Sequence, residues 1–242
     1  MRELGTGVRT MKRTDYQRAV AELRKHANPV KAAFFPGYFK DSHGDTFLGV
    51  VVPNIRRVAR QFWRMGLTDV HRLMKSRVHE ERLLANEILR LKFQRGSPAE
   101  QEQIFNFYMK NLRLIRGWDA VDGSAPHILG AYLVERSRKE LYRLAVSSRI
   151  WDRRIAIVST LAFIRKGSIE DTLKLARLLL RDNEDLIHKA TGWMLREVGK
   201  QNLAALRKFL DEHGAMMPRT MLRYAIERFP EAERKRYLAA LR

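Results

Sequence analysis

The segment Gly117-Trp118-Asp119-Ala120-Val121-Asp122 places one aromatic ring and two carboxylates within six residues. On a helix Trp118 and Asp122 stand four apart and share a face. A carboxylate beside an aromatic wall can stabilise a positive charge that develops during a reaction. Asp119 is rotated away from that face and is expected to cap the helix start. Taken alone, the pair reads first as a packed tryptophan beside a carboxylate paired to a neighbouring arginine. A second constellation is Lys189-Ala-Thr-Gly-Trp-Met-Leu-Arg196. Its Lys189, Trp193 and Arg196 follow the i, i+4, i+7 rule and lie on one helical face. A cation–aromatic–cation face is a poor core stripe and a good surface for a polyanion. Gly192 inside this helix costs about 1 kcal/mol relative to alanine, which points to close approach by another helix or a ligand.

Other chemistries are excluded or unsupported. The chain has no cysteine, so disulfides, thiolate nucleophiles and Cys-ligated zinc are ruled out. That composition fits a reducing cytosol, and a cytoplasmic location is expected. The seven histidines are scattered, without the H-E-x-x-H spacing of a metal site, and neither a metal nor a cofactor is expected. No apolar run approaches the roughly 18 residues of a membrane span, so no membrane association is expected. No feature demands an oligomer, and a monomer is the default. The 47 Lys and Arg exceed the 27 Asp and Glu, giving a net charge of +20 over 242 residues. A folded protein with that charge repels itself, and a polyanionic partner is the natural reading.

These residues need elements to hold them, and helical periodicity dominates the chain. Met1 to Arg13 is basic and lacks the apolar stretch of a secretory signal. It reads as a flexible arm ahead of a single domain over residues 14–242. Thr14 precedes a helix from Asp15 to His26. Asn28 to Thr46 reads as a short helix or turn and then an exposed loop. A strand fits only Phe47 to Val52. Ile55, Val58, Ala59 and Phe62 then form a helical stripe, so the run is better read as leading into a helix with Pro53 in its first turn. Further helices are expected after Thr68, over Glu80–Gln94, after Ser97-Pro98 as far as Gly117, over Asp171–Leu180 behind Ser168, and from Asn183 to a stop at Gly199.

The helices repeat. The alanines at 85, 120, 156, 190 and 225 are 35, 36, 34 and 35 residues apart, the length of one helix–turn–helix unit. Such units stack into a curved array. The expected fold is all-α, a superhelical solenoid of HEAT-like helical repeats. Basic or aromatic residues precede each alanine: Arg82, Trp118, Arg153, Arg154, Lys189, Arg223 and Tyr224. If the helices stack in register, these form a line of cations and aromatics suited to a phosphate backbone.

Four short motifs, in this order and spacing, resemble the AlkD-type DNA alkylation repair family of HEAT-like-repeat DNA glycosylases. They are Phe47-Leu-Gly-Val50 with Pro53 and Arg56 or Arg57, Trp118-Asp-Ala-Val-Asp122, Ile150-Trp-Asp-Arg-Arg154-Ile-Ala156, and Lys189 to Arg196. The resemblance runs from about Phe34 to Phe229. It implies excision of cationic N3- or N7-alkylated purines, such as 7-methylguanine and 3-methyladenine, from double-stranded DNA. The N-glycosidic bond is hydrolysed without base flipping, in base excision repair. By the resemblance Trp118, Asp122, Trp193 and Arg154 form the catalytic set, with Arg154 expected to grip the phosphate beside the lesion. Arg196, Lys189, Arg153, Tyr38 and Arg82 are the expected DNA contacts. The sequence departs from the family at Gly117, where the best-known members carry another tryptophan. Ala120 replaces a polar residue, and the stretch from Asp41 to Asp45 stands as an insertion.

The residues leave a second reading open, a non-catalytic repeat protein that binds damaged or branched nucleic acid. A protein-binding scaffold is a third. It leaves the Trp118–Asp122 and Trp193–Arg196 faces without a purpose.

Overall fold

The computed structural model describes residues 13–39 and 44–239, so the arm before Arg13 and most of the stretch from Asp41 to Asp45 lie outside the described residues. The fold is an all-α helical-repeat fold. Among the described residues extended pairing is limited to one isolated bridge, Thr46 with Val78. No described helix is long and apolar enough to cross a membrane. The chain divides into two compact units, residues 1–88 and 89–242.

The first unit holds α1 (Asp15–Arg24), α2 (Pro29–Phe34), α3 (Val52–Gln61), α4 (Leu67–Met74) and the start of α5 (His79–Arg95). Thr14 closes a capping box on α1. Its Oγ1 accepts from the Gln17 N–H at 3.3 Å, and Gln17 Oε1 accepts from the Thr14 N–H at 3.0 Å. Pro53 stands in the first turn of α3, where its missing N–H costs nothing. α4 starts after Gly66 rather than after Thr68, so Thr68 lies inside the helix. α1 packs on α3 and α4. Ala19, Leu23, Ile55, Val58, Val70 and Leu73 are buried there. The loop before α3 is held by Glu80, a buried carboxylate on α5. It accepts from the backbone N–H groups of Leu48, Gly49 and Val50 at 2.8–3.2 Å. Gly49 has φ +75°, and a Cβ there would lie 2.1 Å from the Asn28 carbonyl oxygen. Only glycine lets this loop lie against the start of α2.

The second unit continues with α6 (Pro98–Lys110), α7 (Trp118–Ser124), a π-helical turn (Pro126–Gly130) and α8 (Ala131–Leu133). Then come α9 (Lys139–Ala145), α10 (Ile150–Ser159), α11 (Leu161–Ile164) and α12 (Glu170–Leu178). The series ends with α13 (Asp185–Gln201), α14 (Leu203–His213), α15 (Arg219–Ala225) and α16 (Glu231–Ala239). Ser97 caps α6 with Glu100 at N3, as the Ser-Pro pair requires. The helix stops at Lys110, short of Gly117. Gly199 does not end α13, which runs on to Gln201. A Cβ at Gly199 would meet Leu206 Cδ2 at 2.4 Å, so this glycine serves packing against α14. α7, α10, α13 and α15 touch in that order, each helix packing on the next. Their alanines at 120, 156, 190 and 225 are buried, as is Ala85 in α5. The period read from the alanines is therefore a period of helix-to-helix contact.

Candidate nucleic-acid interface and active site

α7 begins at Gly117, whose φ of +94° is a backbone state that side-chain-bearing residues rarely adopt. The Gly117 carbonyl accepts the Val121 N–H at 3.2 Å and opens the helix. Asp119 accepts from the Ala120 N–H at 2.8 Å, satisfying one of the first-turn donors. Trp118 is the first residue of α7 and is half-buried. Asp122 follows one turn later on the same face.

Asp122 is joined to Arg154 of α10. The Arg154 Nε–H donates to Oδ1 at 2.9 Å and an Nη2–H to Oδ2 at 2.8 Å. This is a bidentate fork on a carboxylate. The Arg154 side chain is only 6% exposed, whereas Asp122 keeps 21%. A third N–H of the guanidinium is engaged as well, since an Nη1–H donates to the Leu186 carbonyl of α13. Arg154 therefore reaches from α10 to both neighbouring helices. Three of its five N–H donors are engaged by Asp122 and Leu186, and they hold the carboxylate in place. A grip on a phosphate, as expected from the resemblance, would share this guanidinium with Asp122 and Leu186.

Burial pushes the Asp122 carboxyl above the usual carboxylate range, the Arg154 guanidinium opposes that rise, and nearby Asp119 adds to it. A carboxylate has room for about four hydrogen bonds. Arg154 takes two, and the exposed part of Asp122 can meet a water or a developing cation.

Leu186 also fixes where α13 lies. Lys189, Trp193 and Arg196 continue along its stripe, with Trp193 two turns beyond Leu186, about 10 Å along the axis. Trp193 is half-buried, and its Nε1–H donates to Glu197 Oε1 at 3.2 Å. Glu197, four residues from Trp193 and so legible by its i+4 spacing, is the partner of this tryptophan that the motif alone did not single out. Lys189 pairs with Asp185 at 2.8 Å on a half-exposed surface. That hydrogen bond raises the Lys189 pKa, so the ammonium stays charged. Arg196 pairs with Glu227, in the turn that follows α15. Gly192 lets α15 approach: a Cβ there would lie 2.4 Å from the Met221 carbonyl oxygen and 2.6 Å from Tyr224 Cβ.

Two expected DNA contacts point inward instead. Arg153 forms a fork on Asp182 at 2.6 and 3.2 Å and donates to the Ser147 and Ser148 carbonyls at 3.0 Å. Arg82 in the first unit is buried, ion-paired with Asp45, and donates to the Ser76 carbonyl at 2.9 Å. Tyr38, in the first unit, closes a 3₁₀ turn and is 61% exposed, with its ring edge-on to Phe34 at 5.2 Å. Arg57 and Arg60 on α3 of that unit are exposed cations.

Residues 19–229 match the family described as "DNA alkylation repair enzyme". No curated protein matches the chain. A solved structure titled as a predicted DNA alkylation repair enzyme from Enterococcus faecalis has 20% sequence identity and a TM-score of 0.66. The match covers 85% of this chain and 98% of that one. At that identity the likeness is one of fold. The family match spans the α7, α10 and α13 segments that carry the Asp122–Arg154 pair, Trp118 and Trp193, and the chain belongs to the DNA alkylation repair enzyme family.

Proposed function

We propose that the protein is a DNA glycosylase that removes cationic N3- and N7-alkylated purines from duplex DNA by hydrolysis, without flipping the base. Membership of a DNA alkylation repair family supports DNA as the partner and alkylation damage as the target. The observation that carries the chemistry is the Asp122 carboxylate, fixed on both oxygens by Arg154 yet still 21% exposed, one turn from Trp118. An alkylated purine is already cationic, so it leaves without a general acid. The bond from C1′ to the base nitrogen breaks, and its electron pair goes with the base and neutralises it. The sugar becomes oxocarbenium-like. Asp122 opposes that charge and orients the water that adds to C1′, whose proton passes to the carboxylate or to solvent. Trp118 and Trp193 present ring faces that favour a cation and keep bulk water away. Lys189, Arg196 and Tyr38 contact the DNA backbone. Lys189 can exchange its surface partner Asp185 for a phosphate, since exposed pairs hold weakly.

Asp122→Asn keeps the shape of the side chain and removes its charge. Release of free 7-methylguanine from methylated duplex is expected to fall by about 10²-fold or more, with binding of the duplex nearly unchanged. Release at the wild-type rate by this variant would remove Asp122 from the mechanism. One observation favours a second reading. A carboxylate engaged on both oxygens by a buried arginine also serves as a structural ion pair in a non-catalytic binder of damaged DNA. On that reading the wild-type protein binds such DNA with a steep salt dependence and releases no base.

A further inference from the structure

A cavity of about 390 Å³ opens in the second unit between the π-helical turn, the end of α8 and the end of α11. None of the residues discussed above lines it. Ala162, in its wall, lies eight residues past Arg154, about 12 Å along the helical path. Pro126, Val134 and Ala162 form an apolar floor, and Glu135, Arg136, Arg165 and Lys166 stand around it. All four charged residues are exposed. Neither Arg165 nor Lys166 has an ion-pair partner among the described residues, and Glu135 has none either. Arg136 is held in place. Its guanidinium stacks on Tyr132 at 4.2 Å and donates to the Tyr132 carbonyl at 2.8 Å, and Tyr132 in turn stacks on Phe105 at 4.0 Å.

The wall is built from an uncommon element. The Gly130 N–H donates to the Ala125 carbonyl at 2.8 Å, the i to i+5 bond of a π turn. A Cβ at Gly130 would lie 2.2 Å from the Ser159 carbonyl oxygen, so the turn is pressed onto the end of α10 and only glycine fits. π turns are rare and concentrate at functional sites. The volume lies within the range of small-molecule sites, as does the pattern of an apolar floor with a few convergent polar groups.

We propose that this cavity binds a nucleoside monophosphate. Arg136 and Arg165 offer planar forks to the phosphate and Lys166 a point charge. Glu135 accepts from the ribose hydroxyls, and the floor covers the base. The test is calorimetric titration with adenosine 5′-monophosphate in the presence of a saturating undamaged duplex. Saturable binding at one site per chain is expected, at least tenfold weaker for adenosine alone and for inorganic phosphate alone. The Arg165→Ala/Lys166→Ala variant is expected to lose at least tenfold in affinity, with its melting temperature unchanged because both side chains are exposed and make no ion pair among the described residues. Ala162→Glu, which sets a carboxylate in the floor, is expected to abolish binding with the three cations intact. Absence of binding, displacement by the duplex, or equal affinity in the wild type and both variants overturns the proposal.

Discussion

Both carboxylate oxygens of Asp122 are held by a single guanidinium, that of Arg154, at 2.9 and 2.8 Å. The same guanidinium donates to the Leu186 carbonyl, so one side chain of α10 fixes a residue of α7 and the backbone of α13. The carboxylate is thus located by the spacing of three stacked helices rather than by its own helix alone.

Replacing Arg154 separates positioning from phosphate binding. Lysine keeps the charge but cannot form the two-pronged contact. Arg154→Lys is expected to lower the single-turnover rate of base release by at least tenfold and to leave affinity for undamaged duplex unchanged. Arg154→Leu strands a largely buried carboxylate, at a stability cost of about 3–5 kcal/mol, and is expected to be slower still, so that lysine partly rescues it. If both variants instead lost duplex affinity at an unchanged single-turnover rate, Arg154 would be a phosphate contact.

Helical repetition was legible in the sequence because it rests on small buried residues: the alanines at 120, 156, 190 and 225 are buried on helices that pack one on the next, and Ala85 is buried in α5. The cations and aromatics of that alignment do not all stand at the surface. They come from positions one, two and three residues before each alanine, and each step on a helix turns the side chain by about 100°. Arg82 and Arg153, three residues before Ala85 and Ala156, turn toward Asp45 and Asp182. Lys189 and Tyr224, one residue before theirs, remain at the surface. The Trp118–Asp122 pairing was legible from i, i+4 spacing alone. Arg154 as its anchor was not, because a bidentate contact between residues 32 apart depends on how two helices pack.

The buried setting of Asp122 predicts a pH profile. Burial raises its pKa above the ordinary aspartate value of about 3.9, against the pull of Arg154. In the proposed mechanism the ionised form is the active one, so base release is expected above the midpoint and lost below it. That midpoint is expected above 3.9 in the wild type and higher again in Arg154→Leu. Single-turnover rates from pH 8 down to pH 4 check this. A profile flat over that range in both proteins would contradict it.

The close contact at Gly192 predicts a stability change. An alanine Cβ there would press on the Met221 carbonyl oxygen and Tyr224 Cβ, both inside 3 Å. Overpacking of this kind costs about 1–3 kcal/mol, against a gain of roughly 1 kcal/mol in helix propensity. The clash is with backbone, which cannot simply rotate away, so Gly192→Ala is expected to lower the melting temperature by several degrees. A variant that melts at or above the wild-type temperature would show that α15 shifts freely.

The left-handed backbone at Gly117 has a consequence for how this sequence can change. A tryptophan at that position, as in the best-known relatives that the motif resembles, requires a different turn between α6 and α7. The ring and the turn are therefore not separable choices. A protein engineer who places an aromatic residue there must also rebuild the turn that opens α7, since a side chain at Gly117 is strained in the present backbone.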